Sequence, residues 1–487
     1  MDYFLSIDQG TTSTRSILFE QSGNIKSSHQ VEFKQIFPDN KSVEHDAIEI
    51  LETVKTSIRN VTKDIDVKSI KSVGITNQRE TTVAWSKTTG MPLHNAIVWQ
   101  DTRTQDICDE LVADKELSVY FDKTGLPVAT YFSLSKILWL IRNVPDIKKT
   151  LDTDVCFGTI DSWLIYNLTG NYYTDVTNAS RTLLYDLYKM EWSSDLLNKL
   201  NIPINSLPEV KPSFSNFGEL NDIIPGVPVT AILGDQQAAL FGQNCTKKGD
   251  VKNTYGTGCF ALTNTGNNII NSDNGLLTTI AYQKEGEDAM YALEGSVPIA
   301  GAAVQWLRDN LNIIDKSEDI ESLAMLEKDN GDVYFVPAFS GLFSPHWDET
   351  ARGSLFGLTR FSNKSHMARA VLESVAFQTY ELIESMEIDL DTKFENLKVD
   401  GGMVDNNLLM QFQSDILGKS IHSQEINEIT ALGVGLASYL YIMDLPISAM
   451  SDYITSSKTW NPNMSNETRI KFLNSWHKAI EKAKNWL

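Results

Sequence analysis

The chain has 487 residues, more than one hydrophobic core usually serves, so two domains are expected. Its 63 acidic and 42 basic residues give a formal charge of −21, which excludes the basic face of a nucleic-acid binder and a polybasic lipid anchor. No apolar run reaches the roughly 18 residues of a membrane span, and Cys108, Cys156, Cys245 and Cys259, with no CxxC pair, read as reduced, mostly buried thiols of a cytoplasmic protein.

The first informative stretch is "SIDQGTTSTRSILFE". Tyr3–Ile7 and Ser16–Phe19 read as strands, and the nine residues Asp8–Ser16 between them as a polar hairpin tip. Such a tip is either an ordinary Gly/Thr turn or a phosphate cradle. In a cradle, Gly10 lets backbone N–H groups approach an anion while threonine and serine hydroxyls donate. Ile70–Thr76 and Thr81–Trp85 read as strands, and Thr102–Val112 and Leu134–Arg142 as helices. Val227–Leu233 reads as a buried strand ending in Gly234-Asp235, followed by a helix over Gln236–Gln243.

The second half repeats the theme. Lys252–Thr263 is again strand, Gly-rich tip, strand. It is followed by a strand over Met290–Glu294 and a helix over Ile299–Asn310. A long amphipathic helix over Ala368–Ile388 precedes a strand at Leu397–Val399 that ends in Asp400-Gly401-Gly402. Helices over Asn406–Leu417 and Asn466–Leu487 complete the chain. Both halves thus open with a hairpin and continue in βα fashion, a weak internal duplication pointing to an α/β architecture with sheets covered by helices. The polar "TKKGD" near Lys247–Gly249 is the expected boundary between them.

Several residues carry two readings at this level. Asp235, after a buried strand, could cap the following helix or accept a proton from an attacking alcohol. Arg79 and Glu80 could be an idle surface pair, or could hold a polyol, the guanidinium donating to hydroxyl oxygens and the carboxylate accepting from a hydroxyl hydrogen. Trp99, Tyr131 and Phe260 could be core or ligand-lining aromatics. The chain lacks GxxxxGK[ST], a GxGxxG after its first strand, the protein-kinase set, HExxH and a nucleophile elbow.

Six stretches decide among these. They are "DQGTTSTR" at 8–15, "GITNQRETT" at 74–82, "YFSLSKILW" at 131–139, "GDQQAALFGQ" at 234–243, "NTYGTGCF" at 253–260 and "VDGGMVDNN" at 399–407. Together they resemble the FGGY carbohydrate kinases, and very closely those members that phosphorylate glycerol, over nearly the whole chain from Phe4 to Trp476. The resemblance implies two actin-like (ribonuclease H-like) domains, 1–248 and 249–487, around a central cleft for ATP and substrate. It implies Asp235 as general base, with Arg79, Glu80, Trp99, Tyr131, Asp235, Gln236 and Phe260 around glycerol. For ATP it implies Thr11, Thr12, Ser13 and Arg15 on one tip and Thr257 and Gly258 on the other. Gly301, Gln305, Gly402 and Asn406 would lie around ribose and adenine, and Asp8 with Asp235 would hold Mg²⁺, partly through water.

A homo-oligomer, dimer or tetramer, is expected, with no nucleic-acid or membrane partner. "PVATYFS" stands where many bacterial members carry Asp-Pro before the tyrosine, and Pro212–Gly226 contains no histidine, arginine or lysine. Regulation by a sugar bisphosphate or by histidine phosphorylation, which uses such residues, is therefore not expected. Two rival readings remain: a family kinase acting on a pentulose or tetritol, and a nucleotide-gated binding protein of the actin or heat-shock type. The second would have no use for the set Arg79, Glu80, Tyr131 and Asp235.

Overall fold

The computed structural model of the protein describes residues 2–454 and 456–487. Its frame is two sheets of matching topology. The first contains β1 (Tyr3–Gln9), β2 (Ser13–Glu20), β3 (Ile25–Glu32), β4 (Ile70–Asn77) and β5 (Val229–Gly234), in the order β5-β4-β1-β2-β3. β1, β2 and β3 are antiparallel neighbours, and β4 and β5 extend the sheet in parallel from β1.

The second sheet contains β6 (Val251–Tyr255), β7 (Cys259–Gly266), β8 (Leu277–Tyr282), β9 (Met290–Val297), β10 (Asn396–Asp400), β11 (Ser420–Gln424) and β12 (Ser456–Trp460). Its order is β8-β9-β7-β6-β10-β11-β12. Without the two edge strands it repeats the first sheet, with three antiparallel strands and then two parallel ones. The duplication that the sequence only hints at is therefore present strand for strand.

The first tip is narrower than the sequence suggests. β1 runs to Gln9 and β2 resumes at Ser13, with Gly10 N–H donating to Ser13 O at 2.9 Å. Asp8 and Arg15 are cross-strand partners below the turn, so Arg15 lies on the strand rather than on the tip. The ladder extends this far because the residues after the turn, Ser13–Arg15, also pair outward with Gln30–Glu32 of β3.

Helices cover both faces of the first sheet. α1 (Ala47–Thr62) is capped by Asp46, whose carboxylate accepts from Ile48 N–H at 2.8 Å, and it buries Ile50, Val54 and Ile58 against the sheet. The opposite face receives α2 (Asp235–Gly242) and, from far along the chain, α6 (Ile429–Ile442). α6 is buried along nearly its whole length and comes close because Gly74 and Gly433 carry no side chain. A Cβ on Gly74 would stand 2.2 Å from Val434 O, and one on Gly433 2.1 Å from Ala238 O. On the second sheet pack α3 (Gly301–Asp309), α4 (Lys364–Leu390) and α5 (Asn407–Leu417).

All four cysteines are buried and unpaired, and burial pushes their thiol pKa values up, to about 11 for Cys156 and about 12 for Cys245 and Cys259. Among the described residues no helix is long and apolar enough to cross a membrane.

Candidate functional site

The site grows from the ends of the parallel strands of the first sheet. β4 and β5 lie in register with Asn77 opposite Gly234, so the segments leaving them carry Arg79 and Asp235 out side by side. Arg79 Nε lies 3.2 Å from Asp235 Oδ1. Gly234 makes the approach possible, since a Cβ there would meet Arg79 Cδ at 2.7 Å. Thr177 Oγ1 accepts from Gly234 N–H at 2.9 Å, and Asn178 Oδ1 accepts from Asn77 Nδ2 at 3.0 Å. Asp175 accepts from the side chains of both Thr177 and Asn178. One short turn therefore ties down both strand ends.

Asp235 is not a helix cap. Gly234 holds the N-cap position, Asp235 is the first helical residue, and beside the Arg79 contact its carboxylate accepts the neighbouring Gln236 N–H at 2.7 Å. The side chain keeps 35 % of its surface open. Burial raises its pKa above the ordinary carboxylate value, and the Arg79 guanidinium draws it back. An aspartate so placed is free to take a proton from a hydroxyl.

Around the pair stands a buried, charge-balanced cluster. Arg79 makes a bidentate pair with Glu294, Nη1 to Oε2 at 2.6 Å and Nη2 to Oε1 at 2.9 Å, and Nη1 also donates to Gln237 Oε1 at 3.2 Å. Arg181 donates to Glu80 at 2.7 Å and to Glu294 at 3.1 Å. Although burial opposes its charge, the two guanidiniums hold Glu294 down to about 2. Glu80 sits in the left-handed region at φ 61°, and burial raises its pKa against the pull of Arg181 and Arg79. Glu294, Arg181, Gln237 and the buried Lys252 were not singled out from the sequence. Glu294 is the one charge in the mostly apolar run 290–297, where a buried strand would oblige it to be paired, whereas Arg181, Gln237 and Lys252 carry no comparable mark.

Half-buried aromatics line the same place. Trp99 meets Tyr131 edge-on at 5.6 Å between ring centroids, and the Arg181 guanidinium lies 5.9 Å from the Tyr131 ring centre. Buried Lys136 donates to the carbonyls of Tyr131 at 3.0 Å and Phe132 at 3.3 Å, which fixes the loop bearing Tyr131. Gln236 and Phe260 approach from the other side, both held by Lys252.

The first tip is joined to this ring. Trp99 Nε1 donates to Thr11 Oγ1 at 3.0 Å. Behind the tip, His45 contacts Gln35 Oε1 at 2.7 Å and Gln78 Nε2 at 3.4 Å. Gln35 then donates to Thr11 O at 3.0 Å and Gln78 to Gly10 O at 3.1 Å. Burial lowers the His45 pKa to about 4. Thr12 is exposed, and Thr11 and Ser13 are half-buried. Asp8 has its pKa raised to about 7 by burial and by the charges of Asp235 and Glu428. Arg15 is engaged with Gln30 and with Glu428 at the start of α6.

The second tip mirrors the first. Gly256 N–H donates to Gly258 O at 2.9 Å, Thr257 is exposed and Gly258 is buried. Thr257 O accepts from Ala300 N–H and Ala302 N–H, and Gly301 N–H donates to Gly256 O, each at 3.0 Å, so the start of α3 docks on this tip. Gln305 projects into solvent from α3. Gly402 is exposed with open space around it, and Asn406 caps α5 by accepting from Leu409 N–H at 2.9 Å. In the adjoining turn it is Gly401, at φ 97°, that meets the base of the tip, where a Cβ would lie 2.4 Å from Tyr255 O.

Comparison with known proteins shows the family of the chain. Residues 3–242 match the N-terminal domain, and residues 251–439 the C-terminal domain, of the FGGY family of carbohydrate kinases. A glycerol kinase from Brucella anthropi is 49% identical over 99% of each chain, and one from Chloroflexus aggregans is 48% identical over 100% of this chain and 99% of its own. The crystal structure of Plasmodium falciparum glycerol kinase with ADP superposes with a TM-score of 0.94 at 39% identity, covering 99% of this chain and 98% of that one. A ligand-bound xylulose kinase from Lactobacillus acidophilus shares the fold at a TM-score of 0.88 and 21% identity. The chain belongs to the FGGY family of carbohydrate kinases.

Proposed function

We propose that the protein is a cytoplasmic kinase that transfers the γ-phosphoryl group of ATP to a terminal hydroxyl of glycerol, giving sn-glycerol 3-phosphate. The observation that carries this reading is the pairing of Arg79 with Asp235 at 3.2 Å, at the ends of two in-register strands, in a chain nearly half identical end to end to glycerol kinases. Arg79 and Gln236 donate to hydroxyl oxygens, and Glu80 accepts from a hydroxyl hydrogen. Trp99, Tyr131 and Phe260 take up the carbon-bound face of the polyol. Asp235 accepts the proton of the attacking hydroxyl.

The tips bearing Thr11–Ser13 and Thr257–Gly258 lie toward the phosphates, where backbone N–H groups and hydroxyls offset the charge of the transferring group. Gly301, Gln305, Gly402 and Asn406 stand on the nucleoside side. Arg15, held by Gln30 and Glu428, reaches a phosphate only by leaving them. Asp8 and Asp235 suit a divalent cation: burial and the charge of Asp235 push Asp8 toward the neutral form, a penalty that a cation relieves. Two carboxylates with water and phosphate oxygens is the donor set Mg²⁺ prefers, and the ion would supply charge neutralisation. Among the described residues no group of three or more His, Cys, Asp or Glu side chains forms a cation cage without such additions.

Release of ADP from MgATP in a coupled assay across glycerol, dihydroxyacetone, erythritol and xylulose tests the reading. Glycerol is expected to give the highest kcat/KM. Preference for xylulose or erythritol would replace it with the ketose or tetritol reading.

A further inference from the structure

Three residues of the second sheet stand in one row. Lys252 on β6 is directly opposite Leu262 on β7, and Leu262 is directly opposite Glu294 on β9. Opposed residues of neighbouring strands share a face, so a cation and an anion flank one leucine, about 10 Å apart across two strand spacings. Leu262 is buried in the core that includes Leu240 and Phe241 of α2, the helix that begins at Asp235. The row therefore faces α2, and its charged ends take hold of residues of the polyol site, Glu294 of Arg79 and Lys252 of Gln236 and Phe260.

At one end Glu294 holds Arg79. Its two oxygens take both terminal nitrogens, while Gln237 takes a further Nη1 hydrogen and Asp235 faces Nε. Nη2 gives one of its two hydrogens to Glu294, which leaves the other for a ligand hydroxyl. Glu294 is almost fully buried, with 2 % of its side chain exposed; Arg181 also donates to it, at 3.1 Å, and the charge of Lys252 acts on it from further off. A buried carboxylate in this setting has no mobility to spare and fixes the plane of the guanidinium.

At the other end Lys252 Nζ donates to Gln236 Oε1 at 2.6 Å, to Thr254 Oγ1 at 2.9 Å and to Phe260 O at 3.2 Å. Lysine has no acceptor, so only the amide oxygen of Gln236 can face it. The NH₂ end of Gln236 is thereby turned to the ligand as a donor. Phe260 is anchored by the same ammonium through its carbonyl.

We infer that Glu294 and Lys252 are positioning residues of the polyol site, fixing Arg79 and Gln236 as hydrogen-bond donors, and that the second sheet completes the substrate ring of the first. The inference rests on the glycerol-kinase reading of that site. It also means that the two sheets must sit as observed for the ring to form, because neither end of the row belongs to the sheet that carries Asp235.

The test uses the full chain in the ADP-release assay, with ATP and glycerol varied separately. Glu294→Gln turns an NH₂ toward one arm of the guanidinium and removes the charge. The glycerol KM is expected to rise roughly 10–100-fold, the effect of losing one charge-assisted hydrogen bond, while the ATP KM stays within about two-fold. In a double-mutant cycle, Glu294→Gln added to Arg79→Lys should raise the glycerol KM by less than about three-fold, because both changes act through one guanidinium.

Lys252→Met keeps the apolar stem and frees Gln236 to turn, and a glycerol KM raised at least about five-fold is expected. It carries the test by the same criterion if Glu294→Gln does not fold. An unaltered glycerol KM in a folded variant, or additive effects with Arg79→Lys, would overturn the inference. A wild-type protein that does not phosphorylate glycerol would instead overturn the reading on which it rests.

Discussion

Replacing Asp235 by Asn separates chemistry from folding. The amide keeps the size of the carboxylate and still accepts the Gln236 N–H, now 2.7 Å away. The same oxygen faces Arg79 Nε at 3.2 Å, so the amide keeps that contact and loses only the charge, and Arg79 remains bound through Glu294 and Gln237. Burial already disfavours the Asp235 charge, which is why its pKa is raised, so removing that charge should leave the melting temperature unchanged or slightly higher. Turnover should behave otherwise. Without a base for the hydroxyl proton, kcat is expected to fall roughly 10²–10⁴-fold, about 3–5 kcal/mol of barrier. Glycerol KM should move only a few-fold, since Arg79, Glu80 and Gln236 keep their places. Steady-state kinetics and a thermal melt on one preparation measure both quantities. Turnover within a few-fold of wild type, together with a lowered melting temperature, would show that the aspartate serves the fold and not the reaction.

Trp99→Phe keeps the ring but removes the N–H that reaches Thr11 Oγ1 at 3.0 Å; the ATP KM should rise about five-fold, near the net worth of one hydrogen bond, and a change confined to the glycerol KM would contradict the link between ring and tip. Gly401→Ala places a Cβ 2.4 Å from Tyr255 O at φ 97° and should cost about 1–3 kcal/mol and weaken ATP, whereas Gly402→Ala, with open space around it, should be close to neutral; equal melting temperatures for the two variants would refute the assignment. Buried His45, with its pKa lowered to about 4 from 6.5, binds fewer protons folded than unfolded. Its contribution is thus complete above about pH 6.5 and is lost as pH falls toward 4, at most about 3 kcal/mol. Melting temperatures should fall more steeply through that window in wild type than in His45→Gln, and parallel curves would exclude the effect.

Much of this architecture was legible in the chain because it is local. The hairpins, the buried strand before Asp235 and the helix after it follow from alternation, turn residues and apolar runs, and their bounds shift by only a few residues. The strand order was not legible, because the pairing of Ile70–Asn77 with Val229–Gly234 joins segments some 150 residues apart with no local mark of register. Arg79, Tyr131 and Asp235 emerged from motifs, but their neighbours did not. Glu294 lies in "MYALEGSV", which reads as an ordinary strand until Arg79 is seen 2.6 Å from it. The role of Gly401 is likewise invisible in "VDGG", since it depends on Tyr255 arriving from another strand. Arg15 shows the opposite failure. A residue grouped with the tip by motif belongs to the ladder once β3 supplies a partner.

The four sequestered thiols make the chain a convenient substrate for spectroscopy. Cys108, Cys156, Cys245 and Cys259 are buried and their thiolates disfavoured, so maleimide dyes should leave the native protein largely unmodified. Cysteines introduced at exposed Ser22, in the β2–β3 turn, and at exposed Asn267, just after β7, would then be the reactive pair. One dye on each sheet, away from the ligand ring, would report the distance between the two halves by energy transfer. Any change in that distance on adding polyol and nucleotide could thus be read without first deleting a native cysteine.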